Sequence, residues 1–115
     1  MNQHKENRPW GEFIRFTLNE KSTVKILIVK EGEETSLQTH ENRSEFWRVL
    51  EGSGEFTIDS EIKTGQKDAE FLVSQGGAHK IKGLTGGVRV LEISLGDFDE
   101  HDIKRISDKY NRDTA

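Results

Sequence analysis

Glycine-bearing turns cut this chain into lengths that suit strands and little else. The turns "EGSG" at 51–54, "KTGQ" at 63–66, "QGG" at 75–77 and "TGG" at 85–87 leave intervals of eight, eight and seven residues. Globular helices average about eleven or twelve residues, whereas strands of about four to eight fit such intervals. Inside the intervals, and before them, the apolar period is two. In "EFIRFTL", Ile14, Phe16 and Leu18 alternate with Arg15 and Thr17, as in a half-buried strand. "TVKILIVK" is richer in β-branched residues and is predicted to be the more buried, with Val24, Ile26 and Ile28 on one face. Further strands are predicted at Ser36–His40, Phe46–Leu50, Gly54–Asp59, Glu70–Val73, His79–Lys82 and Val88–Leu95. About eight short antiparallel strands with regular turns predict an all-β sandwich or barrel of the jelly-roll kind. The period changes only at the end. In "DFDEHDIKRISDKY", Asp99 can cap a helix and Ile103, Ile106 and Tyr110 fall at i, i+3 and i+7, so a short C-terminal helix is predicted there.

A chain of 115 residues is expected to form one domain, 1–115. With 31% hydrophobic and 33% charged residues it buries a modest core, and no apolar run approaches the roughly 20 residues of a membrane span. The opening "MNQHKENRPW" lacks the apolar stretch of a secretory signal, so a cytoplasmic location is expected. There is no cysteine, which excludes disulfides, thiolate metal sites and a thiol nucleophile. A net charge of -4 argues against nucleic-acid or anionic-membrane surfaces, which are usually basic.

One polar group stands out against the alternation. Gln38 and His40 are two apart in "SLQTHENRSEFW", so on a strand both side chains share a face. Glu45 opens a strand that can run back beside the first, and His79, after "QGGA", is the obvious fourth member. Two imidazoles, an amide oxygen and a carboxylate suit a first-row divalent metal with positions left for water or substrate. The plainer reading also stands on spacing alone: a strand shows polar residues to solvent, and His79 can be a turn histidine. His4 and His101 fall in polar segments and are assigned no role.

The spacing resembles that of the cupins, whose first motif runs G-x5-H-x-H, three or four residues, E-x6-G. Gly32, Gln38, His40, Glu45 and Gly52 fit it throughout, with Gln in place of the first His. Ser74, Gly76 and His79 match the later half of the second motif, with Ser for Pro and Gly83 where Asn is usual. Three further stretches resemble one branch, the type II mannose-6-phosphate isomerase cupins, over roughly residues 7–112. They are "RPWGEF" near the start, "LQTHENRSEFW" in the middle and "HDIKRISDKYNR" at the end.

The resemblance implies a cupin jelly-roll barrel, or double-stranded β-helix. It implies one divalent metal (Zn, Mn, Ni, Co or Fe undistinguished) on Gln38, His40, Glu45 and His79. The implied activity is interconversion of mannose-6-phosphate and fructose-6-phosphate; the alternative is a non-catalytic cupin that binds a sugar or sugar phosphate. Arg43, Arg105 and Arg112 match family arginines and are candidates for the phosphate, with Lys82 as a further cation and Trp47 as a wall of the pocket. Glu41 stands at a family histidine position and is the candidate base. A homodimer is expected on the same grounds, as is a separate nucleotidyltransferase partner, because this sequence carries no guanylyltransferase half. Glu41 and Asn42 replace a His-His pair, and Phe46 replaces the His of E-H-W.

Overall fold

The computed structural model describes residues 3–110. Among them nine strands are found and no helix: β1 His4–Arg8, β2 Gly11–Arg15, β3 Ser22–Val29, β4 Leu37–Thr39, β5 Arg43–Ile58, β6 Glu61–Gln66, β7 Glu70–Val73, β8 His79–Gly96 and β9 Lys104–Ser107. The all-β class is as the alternation predicts. Two strands are far longer than the turn spacing suggests. β5 and β8 run antiparallel from Arg43↔Gly96 to Ile58↔His79, with register shifts at Val49/Glu51 and Gly52/Gly54. Each long strand therefore runs through both halves of one seven-stranded ladder, which the bends fold into two sheets. The first part of β5 lies between β7 and the end of β8, which β3 flanks. The second part lies between β6 and the start of β8, where β4 pairs through Gln38↔His79 and β9 follows outside β4.

The glycines of "EGSG" and "TGG" do not reverse the chain; they let the long strands bend between sheets. Gly52 has φ of 80°, and a Cβ there would sit 2.2 Å from the carbonyl oxygen of Gly87. Only glycine allows the two bends to touch. "KTGQ" falls inside β6. The reversal between β5 and β6 is made instead by Asp59, which adopts φ of 55°.

The two sheets close over an apolar end and a polar end. Val29, Val49, Val73, Val88 and Val90 pack with Trp47, Phe56 and Ile81; the Trp47 and Phe56 rings lie 5.9 Å apart across the interior. Truncating either ring to alanine should cost about 3–5 kcal/mol. Toward the other end the same inward register continues into charged residues: Arg43 and Glu45 precede Trp47 on β5, and Glu92 and Ser94 follow Val90 on β8. The β1–β2 hairpin covers the outside, with Phe16 against the buried Phe46 at 5.5 Å.

Two sequence expectations are corrected. Val24, Ile26 and Ile28 do share a face of β3, but it is the outer one, and they are 59%, 49% and 65% exposed. Lys25, Leu27 and Val29 take the inner register. The C-terminal helix is replaced by a turn and a strand. Asp99 accepts the N–H of His101, and Asp102 N–H returns to Asp99 O, but the turn is not continued. The next residues pair with β4, Thr39↔Lys104 and Gln38↔Arg105. Ile106 and Tyr110 are about half exposed, so the helical spacing marked no buried stripe. Pairing with an open strand edge satisfies more backbone groups than a lone turn would.

Candidate metal centre

His40, Glu45 and His79 are all buried, and one ligand atom from each lies within 4.8 Å of the others. They come from three places: the end of β4, the start of β5 and the first residue of β8. Both imidazoles are held in one tautomer. His40 Nδ1–H donates to the carbonyl of Asp102 at 2.6 Å, and His79 Nδ1–H to the carbonyl of Gly77 at 2.9 Å. In the neutral ring this places the lone pair on Nε2, the form in which histidine ligates.

Those lone pairs face a carboxylate. Glu45 Oε1 is 3.1 Å from His79 Nε2, and Oε2 is 3.8 Å from His40 Nε2. Glu45 Oε1 and His79 Nε2 are buried without a hydrogen-bond donor. Two acceptors held this close in a dry place need a positive charge between them, which a proton on His79 or a metal ion supplies. The protonation states of His40 and Glu45 agree with a metal site. Burial pushes His40 below the ordinary histidine value. Burial works to raise the Glu45 carboxyl, but His79, His40 and Arg43 hold it below the usual carboxylate value. Neutral imidazoles and an ionised carboxylate are what a divalent metal takes.

Gln38 lies beside the group. Its Nε2 is 3.4 Å from His40 Nε2, and its Oε1 accepts from Ser36 Oγ at 2.7 Å. A half-turn of the amide would exchange the two, bringing the oxygen to the group while the NH2 donates to Ser36. Arg43 is the cation the group meets in this structure. Its Nη2 is 3.1 Å from His40 Nε2 and its Nε 3.4 Å from Glu45 Oε2.

Two cavities flank Gln38 and Arg43. One, of about 600 Å³, is lined by Lys25, Gln38, Arg43, Glu45 and Glu92 among others. The second, of about 560 Å³, has Lys25, His40, Arg43, Phe98 and Arg105 in its wall. Lys25 Nζ and the Arg43 guanidinium both lie over the Phe98 ring, at 4.2 and 4.4 Å. Cations of like sign sharing one ring make an attractive place for an anion.

The remaining sequence candidates separate by position. Arg105 sits beside Gln38 in the β4–β9 register and borders the second cavity. Trp47 is buried, meets the His79 ring edge-on at 5.5 Å and donates its indole N–H to Glu92 at 3.2 Å. Lys82 is one register step from the inward-facing Ile81, is turned outward, and lines neither cavity. Glu41 is exposed in the loop after β4, where its backbone N–H and that of Asn42 donate to the Asp102 carboxylate, both at 2.9 Å. Arg112 lies outside the described residues.

Sequence reasoning missed four neighbours of the site: Lys25, Glu92, Phe98 and Asp102. For Glu92 a signal existed. Val88, Val90 and Glu92 share one parity of a strand, so a charge follows two core valines on the same face. Burial first, then the charge of Glu45, push its carboxyl up to about 7, against the Trp47 hydrogen bond, Lys25 and Arg43.

Comparison with known proteins gives the family and the fold. The sequence model of the family described as "Mannose-6-phosphate isomerase C-terminal" matches residues 1–108. Mannose-1-phosphate guanylyltransferase 2 of Escherichia coli O157:H7 is 34% identical over 109 residues, 92% of this chain and 22% of that protein. The chain thus spans less than a quarter of that relative's length. Among solved structures, oxalate decarboxylase from Bacillus subtilis superposes with a TM-score of 0.69 at 22% identity, covering 76% of this chain and 24% of that one. The Cnp3 cupin domain of Schizosaccharomyces pombe superposes at 0.63 and 16% identity, covering 84% of this chain and 89% of that one. These two likenesses carry the fold: the barrel is a cupin. By the match over nearly its whole length, the chain belongs to the mannose-6-phosphate isomerase C-terminal family.

Proposed function

We propose that the chain is a metal-dependent sugar-phosphate isomerase that interconverts mannose-6-phosphate and fructose-6-phosphate. One observation carries this reading: His40, Glu45 and His79 converge in a buried group, beside a cavity whose wall holds Lys25, Arg43 and Arg105. His40, Glu45 and His79 would hold the metal, with the Gln38 amide oxygen as fourth ligand. When bound, the metal supplies a Lewis acid for charge developing on the sugar oxygens. Arg43, Lys25 and Arg105 would bind and orient the phosphate, Arg through its planar fork. Trp47 closes the pocket floor and keeps water from it. We read the described fold as one working domain of residues 1–115, cytoplasmic and homodimeric, acting beside a separate nucleotidyltransferase.

The departures from the family pattern weigh less than the sequence suggests. Phe46 is on the outer face beneath Phe16, and Asn42 is exposed in the loop. Neither position lines the cavity that holds Glu45. A second reading, a non-catalytic cupin that binds a sugar phosphate, is favoured by Arg43, whose guanidinium contacts two of the three ligand groups and competes with a metal for them.

The test uses chelator-stripped protein reloaded with one divalent metal at a time and assayed for fructose-6-phosphate formation. Turnover that appears only with metal is the expected result. Measurable mannose-6-phosphate binding without turnover, whatever the metal, would reject the isomerase in favour of the second reading.

A further inference from the structure

We propose that Glu92 is the base of the isomerisation, taking the proton from C2 of the open-chain aldose phosphate and returning it to C1. This rests on the isomerase reading above. The chemistry demands a carboxylate or similar group inside the cavity, because a carbon-bound proton is moved only by a base in direct reach.

The acidic groups of the main cavity can be sorted by what already holds them. Glu33 is tied to Lys109 and Tyr110 at the outer rim. Glu34 pairs with Lys80. Glu45 faces both imidazoles of the metal group. Glu92 differs: it is 6% exposed, and its hydrogen bond comes from a neutral donor, the Trp47 indole. Glu41, the base suggested by family position, is exposed and lines neither cavity beside the metal group.

The carboxylate is also held rigidly. Its donor Trp47 is wedged between the Phe56 and His79 rings. That bond fixes Oε2 and leaves Oε1 for the substrate. The charged groups that act on it are Lys25 on β3 and Arg43 and Glu45 on β5, and Gln38 on β4 lines the same cavity. A buried carboxylate in direct reach of both carbons can accept a proton from one and give it back to the other.

The step balances without a further reactant. Removing the C2 proton leaves its electron pair as a C1–C2 double bond and places the carbonyl pair on O1, an enediolate. The Glu92 carboxylic acid then protonates C1. The hydroxyl proton of O2 ends on O1, and the carbonyl appears at C2. One carboxyl serves both carbons because they are bonded neighbours.

The test is Glu92→Gln, whose amide oxygen still accepts the Trp47 N–H but is no base. In metal-loaded protein kcat should fall by at least about 100-fold, with metal content by elemental analysis and the Kd for mannose-6-phosphate unchanged. Wild type in deuterium oxide should wash deuterium into the sugar at C1 and C2, and the variant should not. Glu92→Asp, which sets the base back by one methylene, should fall between the two. An active wild type with a Glu92→Gln variant of comparable kcat overturns the base assignment alone. Loss of metal or of sugar-phosphate affinity in Glu92→Gln also overturns it, in favour of a structural role. A wild type that turns over no substrate with any metal overturns the isomerase reading and this one with it.

Discussion

Two backbone carbonyls decide the chemistry of the site before any metal is considered. By accepting the Nδ1 protons, Asp102 O and Gly77 O aim both Nε2 lone pairs at Glu45. Replacing one imidazole leaves too few donors. His79→Ala and His40→Ala should therefore each lose bound divalent metal, read as metal per chain by elemental analysis, while the β-sheet circular dichroism is kept. Metal retained by both variants would remove the site. Glu92 makes the opposite bargain with stability. Its carboxyl is raised from 4.5 to about 7 in the fold, so the folded chain keeps a proton the unfolded chain gives up. The sign follows: its contribution is fully present below about pH 4.5 and is lost as pH rises through about 7. In chelator-treated protein at pH 8, Glu92→Gln should be the more stable by up to about 3 kcal/mol. The gap should close near pH 4, as urea unfolding at the two pH values would show. A residue that weakens its own fold is retained for work, which is how functional carboxylates behave. Spacing alone made Gln38, His40, Glu45 and His79 candidates, and the family resemblance singled them out; the structure brings His40, Glu45 and His79 together. Glu92 was not singled out, because alternation reveals which residues share a face but not which face is inside.

The element that most changes the site is the one the sequence misread. Helical spacing in "DEHDIKRISDKY" predicted a helix, yet a helix there would carry Asp102 away from the loop after β4. As a turn followed by β9, the segment brings Asp102 back to that loop with three contacts. Its carboxylate accepts the N–H groups of Glu41 and Asn42, and its carbonyl takes the His40 proton. The two N–H donors hold the Asp102 carboxyl below its ordinary value of 3.8. The stabilisation they give is present above that value and lost as pH falls through the lower, folded one. Asp102→Ala should cost about 1 kcal/mol, a small figure because the carboxylate is largely solvated. Its larger effect should be on the loop. Backbone amide exchange at Glu41 and Asn42 should quicken in the variant, and metal affinity should fall by about tenfold as His40 loosens. Unchanged exchange at both amides would show that the clamp does not hold the loop. Local propensity could not reveal any of this, since strand pairing of β9 with β4 joins residues more than sixty positions apart.

At the scale of the whole molecule, a chain of net charge -4 concentrates cations around one cavity wall. Lys25, Arg43 and Arg105 come from β3, β5 and β9, and only closure of the two sheets brings them to one place. The all-β class was legible in the glycine turns and the alternation, and the cupin barrel in the motif resemblance. The length of β5 and β8 was not, because glycine permits a bend within a strand as readily as a reversal. Placement of Lys25 was lost for a related reason. The apolar residues beside it on β3 turned out to be the outer face, so the lysine between them took the inner one. If the cations receive a phosphate, Lys25→Ala and Arg105→Ala should each raise KM for the sugar phosphate by about tenfold, the loss of one charge-assisted contact of about 1.4 kcal/mol. Metal content should stay near wild type in both, since neither residue belongs to the His40, Glu45 and His79 group. In Arg105→Ala kcat should also stay near wild type, because Arg105 is not in the cavity wall that holds Glu92. Inorganic phosphate should compete with substrate in the wild type and compete more weakly in both variants. Lys82→Ala, on the outer face, serves as the control and should leave KM unchanged. A rise in KM for Lys82→Ala equal to that for Lys25→Ala would mean that overall charge, rather than this wall, draws the substrate in.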